Sequence, residues 1–150
     1  MTVHEAVNIG VAVATPDGLV VPVLRDVDRK SIGQLASELA DLAGRARSRR
    51  LRPAELSGGT FTITNYGSYG GTFAAPIIRP PEVAIVGLGA LRERPWAEGG
   101  QVVARPVLPV VMAADQRLLD GDVCGSFLTT VISLLSDPIK LLLGMGDTWS

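Results

Sequence analysis

The reading of the fold turns on residues 107–121, Val107-Leu108-Pro109-Val110-Val111-Met112-Ala113-Ala114-Asp115-Gln116-Arg117-Leu118-Leu119-Asp120-Gly121. An apolar, β-branched run ends abruptly in polar and charged side chains. A second apolar segment follows, in which Val123, Phe127, Val131, Leu134 and Leu135 recur on one side of a helix. The stretch therefore reads as a strand, a charged junction and a helix over Asp120–Ser136. Such a junction projects side chains from a rigid strand end towards a cleft or an interface. A purely structural role fits the same residues, with Asp120 as the helix N-cap and Arg117 as its salt-bridge partner. The residues alone leave both roles open.

Working outward, Gln101–Ala114 reads as one strand. Pro106 and Pro109 cannot donate ladder hydrogen bonds, which puts its first half at an edge or a bulge. Val83–Leu91 is nearly continuous in apolar residues, as expected of a central strand. Gly59–Asn65 alternates and leads into the glycine-rich loop Gly67-Ser68-Tyr69-Gly70-Gly71. Asn8–Ala14 and Leu19–Leu24 predict a hairpin around Thr15-Pro16-Asp17-Gly18, where proline presets φ and glycine tolerates positive φ. Ser31–Arg50 is the clearest helix, opened by a Ser31/Gln34 capping box and closed before Pro53. Its apolar face is Ile32, Leu35, Ala36, Leu39, Leu42, Ala43 and Ala46. Hairpins and two long helices, without repeated βαβ units, predict an α/β (α+β) domain with a mainly antiparallel or mixed sheet covered by helices. A short apolar turn over Ile139–Leu143 is expected to close the chain.

The bulk properties fit one domain of 150 residues. Hydrophobic residues make up 47% and charged residues 19%. That apolar surplus fits either a partner chain covering part of the surface or a well-buried domain. A net charge of −1 supplies no field for nucleic acid or an anionic membrane. The one basic cluster, Arg45, Arg47, Arg49, Arg50 and Arg52, falls at a helix end, where cations suit the dipole, so a solvated helix end is expected ahead of a phosphate-binding patch. One cysteine, Cys124, excludes an internal disulfide and a multi-cysteine zinc site. His4 has no second ligand at metal spacing. Val86-Gly87-Leu88-Gly89 lacks the third glycine of a dinucleotide fingerprint, and Gly67–Gly71 lacks the Gly-Lys-Ser/Thr of a phosphate loop. No secretory signal or spanning segment is visible, so a cytoplasmic protein is expected.

The junction Asp115-Gln116-Arg117-Leu118-Leu119-Asp120-Gly121 resembles Asp-His-Arg-x-x-Asp-Gly, the signature of the dihydrolipoyl acyltransferases of 2-oxoacid dehydrogenase complexes. These share a fold with chloramphenicol acetyltransferase. The blocks Val7–Val13, Thr15–Val23, Gly58–Asn65, Pro76–Pro81 and Ala84–Gly89 resemble the same family in the same order. The resemblance implies acyl transfer between coenzyme A and a thiol or hydroxyl acceptor, at a site formed between subunits of a homotrimer. The acceptor would be a lipoyl group supplied in trans, or a free or carrier-bound hydroxyl of a biosynthetic pathway. The implied site residues are Thr64, whose hydroxyl bonds the oxyanion, Asp120, which orders the loop, and Gln116 in the place of the histidine base. No metal is implied.

This sequence departs from the family pattern twice. A carboxamide has no basic site near neutrality, so Gln116 cannot act as the base. Slow turnover through the remaining groups, a hydrogen-bonding role for Gln116, an introduced substitution, or a non-catalytic scaffold subunit all fit that residue. A coenzyme A-binding sensor is a further reading that no residue specifically favours. The chain also corresponds to the C-terminal portion of the family's catalytic domain, without its N-terminal portion, lipoyl domain or peripheral-subunit-binding domain. Either a separate chain supplies the N-terminal portion, or this is a fragment.

Overall fold

A computed structural model describes residues 3–137 and residue 139. The expected turn over Ile139–Leu143 lies almost wholly outside the described residues. The centre is a five-stranded mixed sheet in the order β4-β1-β5-β6-β9. These strands are β1 (Ile9–Val11), β4 (Val23–Leu24), β5 (Phe61–Asn65), β6 (Ala84–Leu88) and β9 (Val110–Ala114). The inner trio β1, β5 and β6 runs parallel, and β4 and β9 join antiparallel at its two sides. The mixed sheet predicted from the sequence is therefore present, with β6 an interior strand.

Three expected strands are split. Asn8–Ala14 divides at Ala12 into β1 and β2 (Val13–Thr15), and β2 leaves the main sheet to pair with β3 (Gly18–Val20). The return strand breaks at the fully buried Pro22, which cannot donate a ladder hydrogen bond. The predicted hairpin is thus real, but its two halves serve different sheets. Gln101–Ala114 is likewise two strands. Leu108-Pro109 separates β9 from β8 (Gln101–Val107), which pairs only with β7 (Arg92–Glu98). The sequence reading missed β7, because Arg92-Glu93-Arg94-Pro95 carries too little apolar alternation to signal a strand.

Helix α1 (Ile32–Arg47) has the predicted capping box, with Gln34 N–H donating to Ser31 Oγ at 3.3 Å and Ser31 N–H to Gln34 Oε1 at 2.9 Å. Leu42 and Ala46 bury its apolar face against β2 and β4. The basic helix end is solvated and paired. Arg45 joins Asp41 and Glu55, each at 2.8 Å, and Arg49 meets Asp17 across the hairpin turn. Helix α2 (Gly121–Ser136) packs on β9, and Phe127 meets Phe61 of β5 with ring centroids 5.6 Å apart.

Register sorts the strand side chains into two faces. Val23, Gly10, Thr62, Ile85 and Ala113 share one face, and Thr64, Gly87 and Val111 continue it. Phe61, Ile63, Val86, Met112 and Ala114 lie on the other, beneath α2. Two glycines are forced by close approach. A Cβ on Gly67 would sit 2.1 Å from the Gly89 carbonyl oxygen, and one on Gly87 would sit 2.9 Å from the Tyr66 ring. Gly67→Ala is expected to lower stability in urea denaturation by at least about 3 kcal/mol, since backbone must move. Gly44→Ala, exposed in the last turn of α1 with nothing within 4 Å, should raise stability by about 0.5–1 kcal/mol.

Candidate functional site

The charged junction is built from the end of β9. Asp115 N–H donates to the Val83 carbonyl at 2.9 Å, so the strand stays anchored up to that residue. The chain then turns, with the N–H groups of Leu118 and Leu119 both donating to the Asp115 carbonyl at 3.0 Å. Asp120 caps α2 by accepting from Val123 N–H at 3.0 Å. Its N-cap role was legible in the sequence. The partner expected for Arg117 was not: Arg117 pairs with Asp115, Nη2 to Oδ2 at 2.6 Å and Nε to Oδ1 at 2.9 Å. Asp115 lies two residues back on the turn, within reach of the guanidinium, while the Asp120 carboxylate is engaged by the helix N-terminus. Gln116 is exposed and lines a recess of about 170 Å³ with Met112, Ala114, Leu119, Asp120 and Cys124.

Thr64 belongs to a different part of the sheet. It lies on β5 opposite Gly87 of β6, which in turn lies opposite Val111 of β9. Its methyl group faces the space above Gly87, and its hydroxyl makes no hydrogen bond among the described residues. Beyond it, residues 65–72 form a compact connection. Ser68 N–H donates to Asn65 Oδ1 at 3.2 Å, and Gly70 N–H to the Gly67 carbonyl at 2.9 Å. Its N–H groups are thus largely used internally, consistent with a tight connection rather than a phosphate cradle. A larger recess of about 500 Å³ opens here, between Asn65, Ser68, Gly70 and residues 88–92.

One copy of the chain does not bring Thr64 and Gln116 together. Thr64 is level with Val111, and Gln116 lies five residues further along, past the opposite end of β9. Strand geometry puts them about 15 Å apart along the strands and about 10 Å across two strand spacings. They also belong to opposite faces, because Gln116 lines its recess with Met112 and Ala114 while Thr64 sits with Val111. Asp120, by contrast, is beside Gln116 in the same recess.

The sequence reading missed one buried polar group. The Glu82 side chain is 1% exposed, accepts from the Thr62 hydroxyl, and pairs with Arg79 Nη2 at 2.8 Å. The signal was an acid three residues after an arginine, just ahead of an apolar strand. Among the described residues, no group of three or more His, Cys, Asp and Glu could hold a metal ion. No described helix is long and apolar enough to cross a membrane. His4 is exposed, and Cys124 is a free thiol.

The Arg117 guanidinium lowers the Asp115 carboxyl from 3.8 to about 2. A carboxyl lowered in the folded state contributes stability above its ordinary value and loses it as pH falls through the folded one. The turn's ion pair should therefore persist down to about pH 2. Arg117→Gln should return the Asp115 titration, followed by NMR, to the ordinary carboxylate range.

Comparison with known proteins bears on the same residues. The family model for the 2-oxoacid dehydrogenases acyltransferase catalytic domain matches residues 1–143. The dihydrolipoyllysine-residue succinyltransferase component of the 2-oxoglutarate dehydrogenase complex of Haemophilus influenzae is 46% identical over 140 residues, 93% of this chain and 34% of that protein. Two solved structures superpose at TM-score 0.88 and 42% identity, covering 93% of this chain and 57% of each. One is Azotobacter vinelandii dihydrolipoamide acetyltransferase, studied for the roles of a serine, a histidine and an asparagine in its catalytic mechanism. The other is the cubic core of the pyruvate dehydrogenase multienzyme complex. The chain thus spans about a third of the length of its curated relative and somewhat over half of the solved cores. With the mixed sheet, the strand-to-helix junction and the matched sequence all in agreement, this chain belongs to the 2-oxoacid dehydrogenase acyltransferases, within their catalytic domain.

Proposed function

We propose that this chain carries the C-terminal half-site of an acyltransferase that moves an acyl group between coenzyme A and a lipoyl thiol. The observation that carries the reading is the spacing of Thr64, Gln116 and Asp120, 52 and then 4 positions apart. The serine, histidine and asparagine studied in the Azotobacter enzyme are spaced in the same way. In the reaction the acceptor thiol loses its proton, its sulfur attacks the thioester carbonyl, and the coenzyme A thiolate leaves and is protonated. The Thr64 hydroxyl donates to the tetrahedral oxyanion. Asp120 holds the turn by capping α2. Gln116 stands where a base belongs, and its amide donates or accepts a hydrogen bond at the acceptor. A hydroxyl acceptor in a biosynthetic pathway would demand a base more strictly, since a thiol ionises partly unaided. Gln116 therefore favours the thiol.

Since Thr64 and Gln116 lie at opposite ends and on opposite faces of one sheet, the working site joins Thr64 of one copy to Gln116 of another. A homotrimer provides such a junction, and the cubic core among the solved relatives supports an assembly of that kind. The remainder of the catalytic domain then comes from residues flanking this stretch or from a separate chain. The alternative is a scaffold subunit that keeps the fold without turnover, favoured by the missing base and by the apolar sequence Leu141-Leu142-Leu143, which lies outside the described residues.

The test mixes acyl-coenzyme A with dihydrolipoamide and follows the S-acyl product chromatographically. Wild type should turn over slowly. Gln116→His should raise the rate about 10²–10⁴-fold, the contribution of a positioned general base. Thr64→Ala in that background should lower it about 10²–10³-fold. Gln116→His without any turnover, in the assembled protein, would favour the scaffold.

A further inference from the structure

Tyr66 follows β5 by one residue and turns its ring back over the sheet. Its Cδ2 would lie 3.0 Å from a Cβ on Gly71, and its Cε1 2.9 Å from a Cβ on Gly87. Two glycines therefore make the slot that holds the ring. The Thr64 methyl carbon lies 3.5 Å from the same point above Gly87. The Tyr66 ring, the Thr64 methyl group and Val111 Cγ2, the last at 3.0 Å, thus converge on one point above Gly87. The Tyr66 hydroxyl is buried and has no hydrogen-bond partner among the described residues. A buried, unpaired hydroxyl is costly, and it favours any nearby rotamer change that supplies an acceptor. Threonine has that change available, because one staggered step about χ1 carries Oγ1 to the place held by Cγ2 while Cγ2 moves to the place held by the Cβ hydrogen.

We propose that Tyr66 is a positioning residue for Thr64. In the working protein Thr64 turns its Oγ1 to the place now held by Cγ2, and the Tyr66 phenol donates a hydrogen bond to it. The Thr64 O–H is then left with one direction in which to donate, away from Tyr66 and towards the oxyanion. A hydroxyl that accepts one hydrogen bond also becomes a better donor in the next. The pair thus aims and strengthens the donor on which the site, in the absence of a base at position 116, depends most. This inference rests on the acyl-transfer reading for its catalytic consequence and on geometry alone for the pair itself.

Two measurements test it on the assembled protein. The first carries an isotopic label at the tyrosine Cζ carbon, with the Tyr66 resonance assigned by its loss in Tyr66→Phe. Without substrate, that resonance should hold its position in Thr64→Ser, which keeps a hydroxyl, and move in Thr64→Ala. An unchanged resonance in Thr64→Ala would overturn the pair. The second is kinetic, in the Gln116→His background. Tyr66→Phe keeps the ring in its glycine slot, and should lower kcat about three- to tenfold with KM for acyl-coenzyme A unchanged. It should have no further effect once Thr64 is alanine. Effects of Tyr66→Phe and Thr64→Ala that simply multiply would overturn the positioning role. If no variant turns over, the acyl-transfer reading falls, and the resonance comparison alone decides the pair.

Discussion

The register that sets Thr64 of β5 against Gly87 of β6, and Gly87 against Val111 of β9, is the constraint from which the rest of the structure follows. Strand side chains alternate, so a slip of one residue would carry Thr64 to the face beneath α2 and Phe61 to the other. The glycines hold the register by exclusion. Only a residue without a Cβ leaves room at position 87 for Tyr66, Val111 and Thr64 together, and only such a residue at position 67 lets the connection pass the Gly89 carbonyl. On the same face Thr62 ties itself to the buried Glu82, which fixes the start of β6 relative to β5. The registry of three strands is thus written in glycine and threonine as much as in large apolar side chains.

From that register comes the separation of Thr64 from Gln116. Because β9 runs antiparallel to β6, its end carries Gln116 away from Thr64. The same geometry puts α2 over the opposite face, where it caps on Asp120 and packs Phe127 on Phe61. Helix α2 is strongly apolar, yet none of its described residues is buried in a single copy, and Val123, Ile132 and Leu135 are each about half exposed. The apolar surplus read from composition therefore has a location. It lies beside the junction that carries Gln116.

Much of this was legible in the residues. The capping box of α1, the N-cap of α2, the hairpin at Pro16–Gly18 and the mixed sheet all follow from local chemistry, and the structure has them. What was not legible depends on contacts distant in sequence. Pro22 and Pro109 split strands that composition alone runs together, and the split at Pro109 releases β7 and β8 as a separate ribbon. Arg117 was assigned to Asp120, whereas the path of the turn folds its guanidinium back onto Asp115, and that path is not written in residue types. Thr64 and Gln116 could be named from the family motif, but their separation within one chain needed the strand register. Tyr66 gave no signal at all, since an aromatic residue beside a glycine-rich loop is ordinary until its hydroxyl is found buried without a partner and its ring against Gly87.

The central claim is that the site is shared between copies, with Thr64 from one and Gln116 from another. The most direct measurement places single cysteines at the two positions, Thr64→Cys and Gln116→Cys in the same Cys124→Ala chain. A bifunctional thiol reagent much shorter than the roughly 18 Å that strand geometry sets between them in one copy is then applied. The account predicts cross-links between chains, seen as covalent dimers and trimers on a denaturing gel, with neither single-cysteine chain giving the same ladder. Cross-linking confined within one chain would contradict it.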